Sequence, residues 1–369
     1  MESVYSRREE CCGCSACFNI CPTDAISMIP DEEGFLYPLI DQDTCIDCNK
    51  CVNSCPILKD NSFKEERTPD LYVTKHKSID VLMSSTSGGM FAALSDAILR
   101  EDGIIYGVDF DDEFKVLHKR AENPEQRDRM KFSKYVQSDL SDIFQQIKND
   151  LIDGKSVLFT GTPCQTAGLR GYFRNSRITE KLYICDLICH SIPSPLIWKD
   201  FKKYLEKENG GELTNIQFRS KIIDWTRENS NKTFMFKTTA NEDYVFDERY
   251  YKLFFGLKTI VRPSCSECRF TDVHRTSDIT IADYWGIEKY APEWLDLKGV
   301  SLILTNTQKG DKLLELISQD IHFEKRQLKE ALNEQQRLSK PVESPDNRDE
   351  FWKIYKEKGF EYIMENMLG

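Results

Sequence analysis

Two cysteine runs near the start of the sequence repeat one spacing. The first is Cys11-x2-Cys14-x2-Cys17-x3-Cys21 followed by Pro22, and the second is Cys45-x2-Cys48-x2-Cys51-x3-Cys55 followed by Pro56. Gaps of two residues let one tight loop point three thiolates at neighbouring corners of an iron–sulfur cube. The fourth cysteine of each run crosses to the other cube in two-cluster ferredoxins. Cys11, Cys14, Cys17 and Cys55 are therefore expected to hold one [4Fe–4S] cluster, and Cys45, Cys48, Cys51 and Cys21 the other. Zinc favours four ligands at paired spacings, and two complete runs are a far more specific signal than that. Cys12 is a spare thiol beside Cys11; the spacing to Cys14 and Cys17 favours Cys11 as the ligand. The chemistry so implied is one-electron transfer.

A second chemical signal is the turn Ser84-Ser85-Thr86-Ser87-Gly88-Gly89 in front of an apolar helical pattern. Small hydroxyl residues and glycines there expose backbone N–H groups at the positive end of a helix, which suits an anion. An ordinary capped turn is the competing reading. No G-x-G-x-x-G follows a strand and no Walker A sequence is present, so a standard dinucleotide fold has little support.

The rest of the chain must position these groups. Its 369 residues suffice for two or three domains, and 40% hydrophobic residues can build a core. The net charge of −11 excludes a nucleic-acid binder held by its general field. No run is long and apolar enough to span a bilayer, and the polar start lacks a secretory signal, so a cytoplasmic protein is expected. In a reducing compartment fourteen cysteines point to metal or redox chemistry rather than disulfides.

The expected organisation is a two-cluster ferredoxin-like domain over residues 1–60, a polar linker from Lys59 to Asp70, and a larger mixed α/β domain. That larger domain divides into 71–150 and 151–310, with a helical tail over 311–369. Helices are predicted over Met90–Leu99 and Asp142–Ile152, and from the cap Ser194 to Gly210. Strands are predicted over Ile104–Phe110, Phe114–His118, Val157–Thr160, Leu182–Ile188 and Ser301–Thr305, with an antiparallel section around Phe218 and Phe234–Lys237. From Lys325 onward the tail reads as charged, helical and packed on the outside.

Five further segments occur in order: Ser133-Lys134-Tyr135-Val136-Gln137-Ser138, Gly161-Thr162-Pro163-Cys164-Gln165, Asp186-Leu187-Ile188-Cys189-His190, Arg262-Pro263-Ser264-Cys265-Ser266-Glu267-Cys268, and Ser277 to Gly286. With the Ser-Gly-Gly turn and the cysteine runs they resemble the coenzyme F420 hydrogenase/dehydrogenase beta-subunit family over roughly residues 1–310. The resemblance implies an iron–sulfur flavoprotein that passes electrons between FAD and [4Fe–4S] clusters. The hydride partner would be F420, NAD(P)H or an organic substrate. FAD phosphates would lie near Ser85, Thr86, Ser87, Gly88 and Gly89, with Lys134, Tyr135, Thr162 and Gln165 as flavin contacts. His190 is the candidate proton donor, against a purely structural role. Ser191 and Ala282 stand where the family usually has glycine. A redox protein or ferredoxin is the expected partner, and the sequence leaves the oligomeric state open. The alternative is a relay subunit without a substrate site of its own; a redox sensor is a weaker third.

A third [4Fe–4S] cluster is expected at Cys164, Cys189, Cys265 and Cys268. Cys265 and Cys268 form a C-x2-C pair, while Cys164 and Cys189 follow strand ends. Cys185 lies inside a strand pattern and reads as a packed side chain. Zinc is the rival occupant of the same four thiols. Iron is preferred because a flavin needs a nearby one-electron acceptor and zinc has no redox chemistry.

Overall fold

A computed structural model describes residues 4–58, 63–229 and 234–368. Part of the predicted linker, residues 59–62, lies outside them. The head is a short hairpin, β1 (Ile26–Pro30) and β2 (Leu36–Ile40), between two one-turn helices, Ala16–Ile20 and Lys50–Ser54.

The main body is one eight-stranded mixed sheet. Its strands are β3 (Asp70–His76), β4 (Ile104–Phe110), β5 (Val116–Ala121), β6 (Val157–Gly161) and β7 (Leu182–Leu187). A separate three-stranded antiparallel sheet follows, made of β8 (Leu213–Gln217), β9 (Met235–Thr238) and β10 (Asn241–Phe246). The chain then returns to the main sheet with β11 (Ile279–Asp283), β12 (Ser301–Thr305) and β13 (Ile321–Arg326). The order across the sheet is β13-β3-β12-β11-β7-β6-β4-β5. The centre, β4-β6-β7-β11, is parallel and the flanks are antiparallel. Central strands buried on both faces need continuous apolar runs, and Val157, Leu158 and Phe159 supply one.

Three differences from the sequence reading have physical causes. The second strand of the first hairpin starts at Val116 rather than Phe114. The Asp111 carboxylate accepts from the backbone N–H of Glu113 and Lys115, and Phe114 turns left-handed at φ 61° to pack on Phe110. Lys325 belongs to β13, which pairs with β3, so the tail re-enters the main sheet before it turns helical. The last helix, Arg348–Asn366, does not merely lie outside. It buries Phe351, Trp352, Phe360, Ile363 and Met364 in an aromatic core with Trp198, Phe201 and Leu205.

The head shares a core with the body. Cys12, Cys14 and Ala16 pack with Tyr106, Phe144, Phe159 and Leu169. The helix Pro163–Tyr172 runs against this seam, and two of its residues have no room for a side chain. A Cβ on Gly168 would sit 2.8 Å from Cys14 Sγ, and one on Gly171 2.0 Å from the Ser54 carbonyl oxygen.

Candidate functional site

The two cysteine loops of the head fold alike, residue for residue. Gly13 and Asp47 are left-handed at φ 67° and 51°, and Ser15 and Asn49 at 58° and 56°. Each loop then enters a one-turn helix. Cys21 and Cys55 end those helices, each with its N–H bonded back to the carbonyl three residues earlier, at 3.3 Å in both. The thiols sort across the runs. Cys55 joins Cys11, Cys12, Cys14 and Cys17 in lining an apolar void closed by Val4, Tyr5, Met28 and Leu58. Burial pushes the Cys17 thiol well up, and Cys11 and Cys55 add to the shift. Cys51 is raised first by burial and then by Cys48 and Cys21. A void ringed by separated sulfurs fits a cube held at four corners. Cys14 is buried against the body and Cys17 within the head, whereas Cys48 is exposed.

The body gathers a second group of thiols at the ends of β6 and β7. Cys164 lies in the first turn of Pro163–Tyr172, just past β6. Cys189 lies two residues past β7, and Cys265 ends the short helix Pro263–Cys265. Burial pushes the Cys189 thiol well above its ordinary range, and Cys265, Cys164 and Cys268 push it further. Cys268 is raised to about 11 by burial and then by Cys164. Cys185 is 1% exposed and packs in the core with Leu158, Ile279 and Ile303, away from this group. Among the described residues no three His, Cys, Asp or Glu side chains stand close enough to share a single metal ion.

The two groups touch. Cys12 packs in one apolar cluster with Cys14, and Cys164 lies against the same cluster. The sequence reading gave Cys12 no part here; its only signal was an unmatched thiol beside a complete ligand run.

Family models match two parts of the chain. Residues 154–331 match the C terminus of the coenzyme F420 hydrogenase/dehydrogenase beta subunit. Residues 10–57 and 37–93 match 4Fe–4S dicluster domains. The chain thus carries the C-terminal domain of the coenzyme F420 hydrogenase/dehydrogenase beta subunit behind an N-terminal 4Fe–4S dicluster head. It is an iron–sulfur electron-transfer protein of the oxidoreductase type with a 4Fe–4S dicluster head. A chain of the F420-reducing [NiFe] hydrogenase complex from Methanosarcina barkeri aligns at 17% identity. The alignment covers 80% of this chain and 89% of that one, with a TM-score of 0.48. No curated protein matches the sequence. Among the described residues no helix is long and apolar enough to cross a membrane.

The residues expected to hold flavin in this beta-subunit-like chain fall into two places. Ser85–Gly89 and Ser133–Tyr135 meet, with the Ser133 N–H donating to Thr86 Oγ1 at 3.0 Å. Tyr135 leads on to Arg219, whose guanidinium pairs with Asp283 at 2.6 Å and lies over the Trp285 ring. Gly88 has a packing duty: a Cβ there would meet the Ser301 backbone nitrogen at 2.7 Å. An Asp at this position would break the sheet contact before it met any phosphate. Lys134 Nζ donates to the carbonyls of Arg129, Lys131 and Phe132, and burial pushes its pKa down to about 7. Thr162 and Gln165 form a capping box on the helix Pro163–Tyr172. The sequence reading took both as flavin contacts; T-x-x-Q is the spacing that signals this box.

His190 hydrogen-bonds Ser191 Oγ at 2.9 Å and packs edge-on against Phe254 and Phe255. Burial, with Arg337 and Lys258 nearby, pushes it down to about 4, so it is neutral at physiological pH. Neither Ser191 nor Ala282 is left-handed, so the absence of glycine at these positions brings no backbone strain.

Proposed function

We propose that this chain moves electrons one at a time through three [4Fe–4S] clusters, between a flavin site in the body and a redox protein that meets the head. In this reading Cys164, Cys189, Cys265 and Cys268 bind the inner cluster. Cys11, Cys14, Cys17 and Cys55 bind the middle one, and Cys21, Cys45, Cys48 and Cys51 the outer one. The observation that carries it is the packing of Cys12 with both Cys14 and Cys164, which brings the inner and middle thiol groups together. Exposure of Cys48 puts the outer group where a partner can reach it.

Bound FAD would supply the exchange between two-electron hydride chemistry and one-electron steps. The residues placed to hold it are Ser85–Gly89 at the start of the helix Met90–Leu99, which has no side-chain cap of its own, and Ser133–Tyr135 beside them. Tyr135 stands between this turn and His190, through Phe254 and Phe255. Thr162 orients Cys164 through an Oγ1–Sγ contact at 3.2 Å.

The relay reading also has an observation behind it: Lys134, Thr162 and Gln165 spend their polar groups within the protein. Denaturing anaerobically reconstituted protein and chromatographing the supernatant separates the two. About one FAD per chain, with dye reduction driven by NAD(P)H or reduced F420, is the result expected of the flavoprotein. Absence of flavin and of dye reduction, with iron intact, leaves the relay.

A further inference from the structure

Arg262 heads the largest side chains that the fold buries, at 1% exposure. A guanidinium keeps its charge in any protein, and burying a charge is costly unless an anion lies beside it. Other buried arginines have one. Arg275 pairs with Asp186 at 2.9 Å, Arg219 with Asp283 at 2.6 Å and Arg127 with Asp96 at 2.7 Å. Among the described residues no carboxylate stands within ion-pair reach of Arg262. Its Nε donates to the Cys11 carbonyl at 2.8 Å, Nη1 to Gln137 Oε1 at 2.8 Å and Nη2 to the Leu36 carbonyl at 2.9 Å. Its guanidinium lies 4.3 Å from the centre of the Tyr37 ring. These partners satisfy the donors and leave the charge unmatched.

The ionisable groups near it are the Tyr37 phenol, which burial raises to about 12 and so keeps neutral, and sulfurs. Nη2 points at Cys11 Sγ at 3.8 Å. Cys12 and Cys265 also act on it. Gly13 makes the approach feasible, since a Cβ there would meet Nη1 at 2.8 Å. Arg262 thus leaves the main chain three residues before Cys265 and ends against the loop of Cys11.

We infer that Arg262 is the shared counter-ion of the middle and inner clusters, and that its charge raises the potential of the middle cluster so that electrons enter the head. This rests on the ligand sets proposed above. Four thiolates make a bound cluster anionic, and a gained electron adds one more negative charge. A buried cation stabilises the reduced form more than the oxidised form, which raises the potential.

The experiment is an EPR-monitored redox titration of the full chain, reconstituted anaerobically, with iron and sulfide counted in each sample. Signals are assigned with Cys14→Ser and Cys48→Ser. In Arg262→Gln the middle cluster is expected to lose about tenfold in its reduced-to-oxidised ratio at a fixed potential, which is about 59 mV for one electron. The outer cluster should keep its potential. Gln137→Glu sets a carboxylate against the same Nη1 without changing side-chain shape, and should shift the middle cluster the same way. It decides the matter if Arg262→Gln does not retain its iron. Arg262→Lys keeps the charge and should shift less. Full iron with an unmoved middle cluster in both variants, or an equal shift in every cluster, overturns the inference. Wild-type protein without iron at the Cys11 set overturns the proposed function itself.

Discussion

Cys185 and Cys189 lie four residues apart and have opposite surroundings. The first faces the core from within β7; the second stands past its end among Cys164, Cys265 and Cys268. Cys189→Ala should remove about a third of the iron and Cys185→Ala none, measured by iron and sulfide assay. The reverse would mean that the inner thiol group is misassigned. This contrast was legible in the sequence, because a cysteine inside an apolar run packs and one just beyond it projects. Arg262 and Cys12 were not legible as participants, since their roles depend on a contact between head and body that no local pattern encodes. A histidine gives a second residue-scale test. His118 Nε2 donates to the Thr160 carbonyl and Nδ1 accepts from Ser138, and burial pushes its pKa from about 6.5 to about 4. The unfolded chain takes up this proton below about pH 6.5, and the folded one only near pH 4. The neutral ring's contribution is therefore whole above pH 6.5 and falls away as the pH drops towards 4, by up to roughly 3 kcal/mol. Denaturant titrations of wild type and His118→Gln should show a stability gap that narrows over this range; a constant gap would contradict it.

Among the elements, the helix Pro163–Tyr172 does most of the positioning. Thr162 and Gln165 cap it, Cys164 sits in its first turn, and Gly168 and Gly171 let the head press against its side. The sequence pattern shows where this helix starts, but not which face meets the head, because two small residues do not say what they are small for. Gly168→Val should crowd Cys14, destabilise the protein by about 1–3 kcal/mol and lower the iron content at the middle site, leaving the exposed outer site loaded. Unchanged iron and stability would mean that the head does not seat here. The strands β4, β6, β7 and β12 and the helix Met90–Leu99 were readable from apolar periodicity, whereas β11 was named only as part of a motif. β13 was not, since its residues from His322 to Lys325 are exposed and its charged edge reads like solvated helix.

Across the whole molecule the sequence-level reading of a dicluster head on an α/β body stands. What it lacked was the order of the parts. In the proposed reading the inner thiols lie at the ends of the parallel strands, the middle ones by the seam and the outer ones towards the surface, and electrons pass between body and partner through them in that order. The same order requires the body to carry a cluster of its own. Iron and acid-labile sulfide, counted per chain on anaerobically purified and reconstituted protein, test that requirement most directly. The account predicts about twelve of each, from three clusters of four. About eight of each, with zinc or nothing at Cys164, Cys189, Cys265 and Cys268, would contradict it.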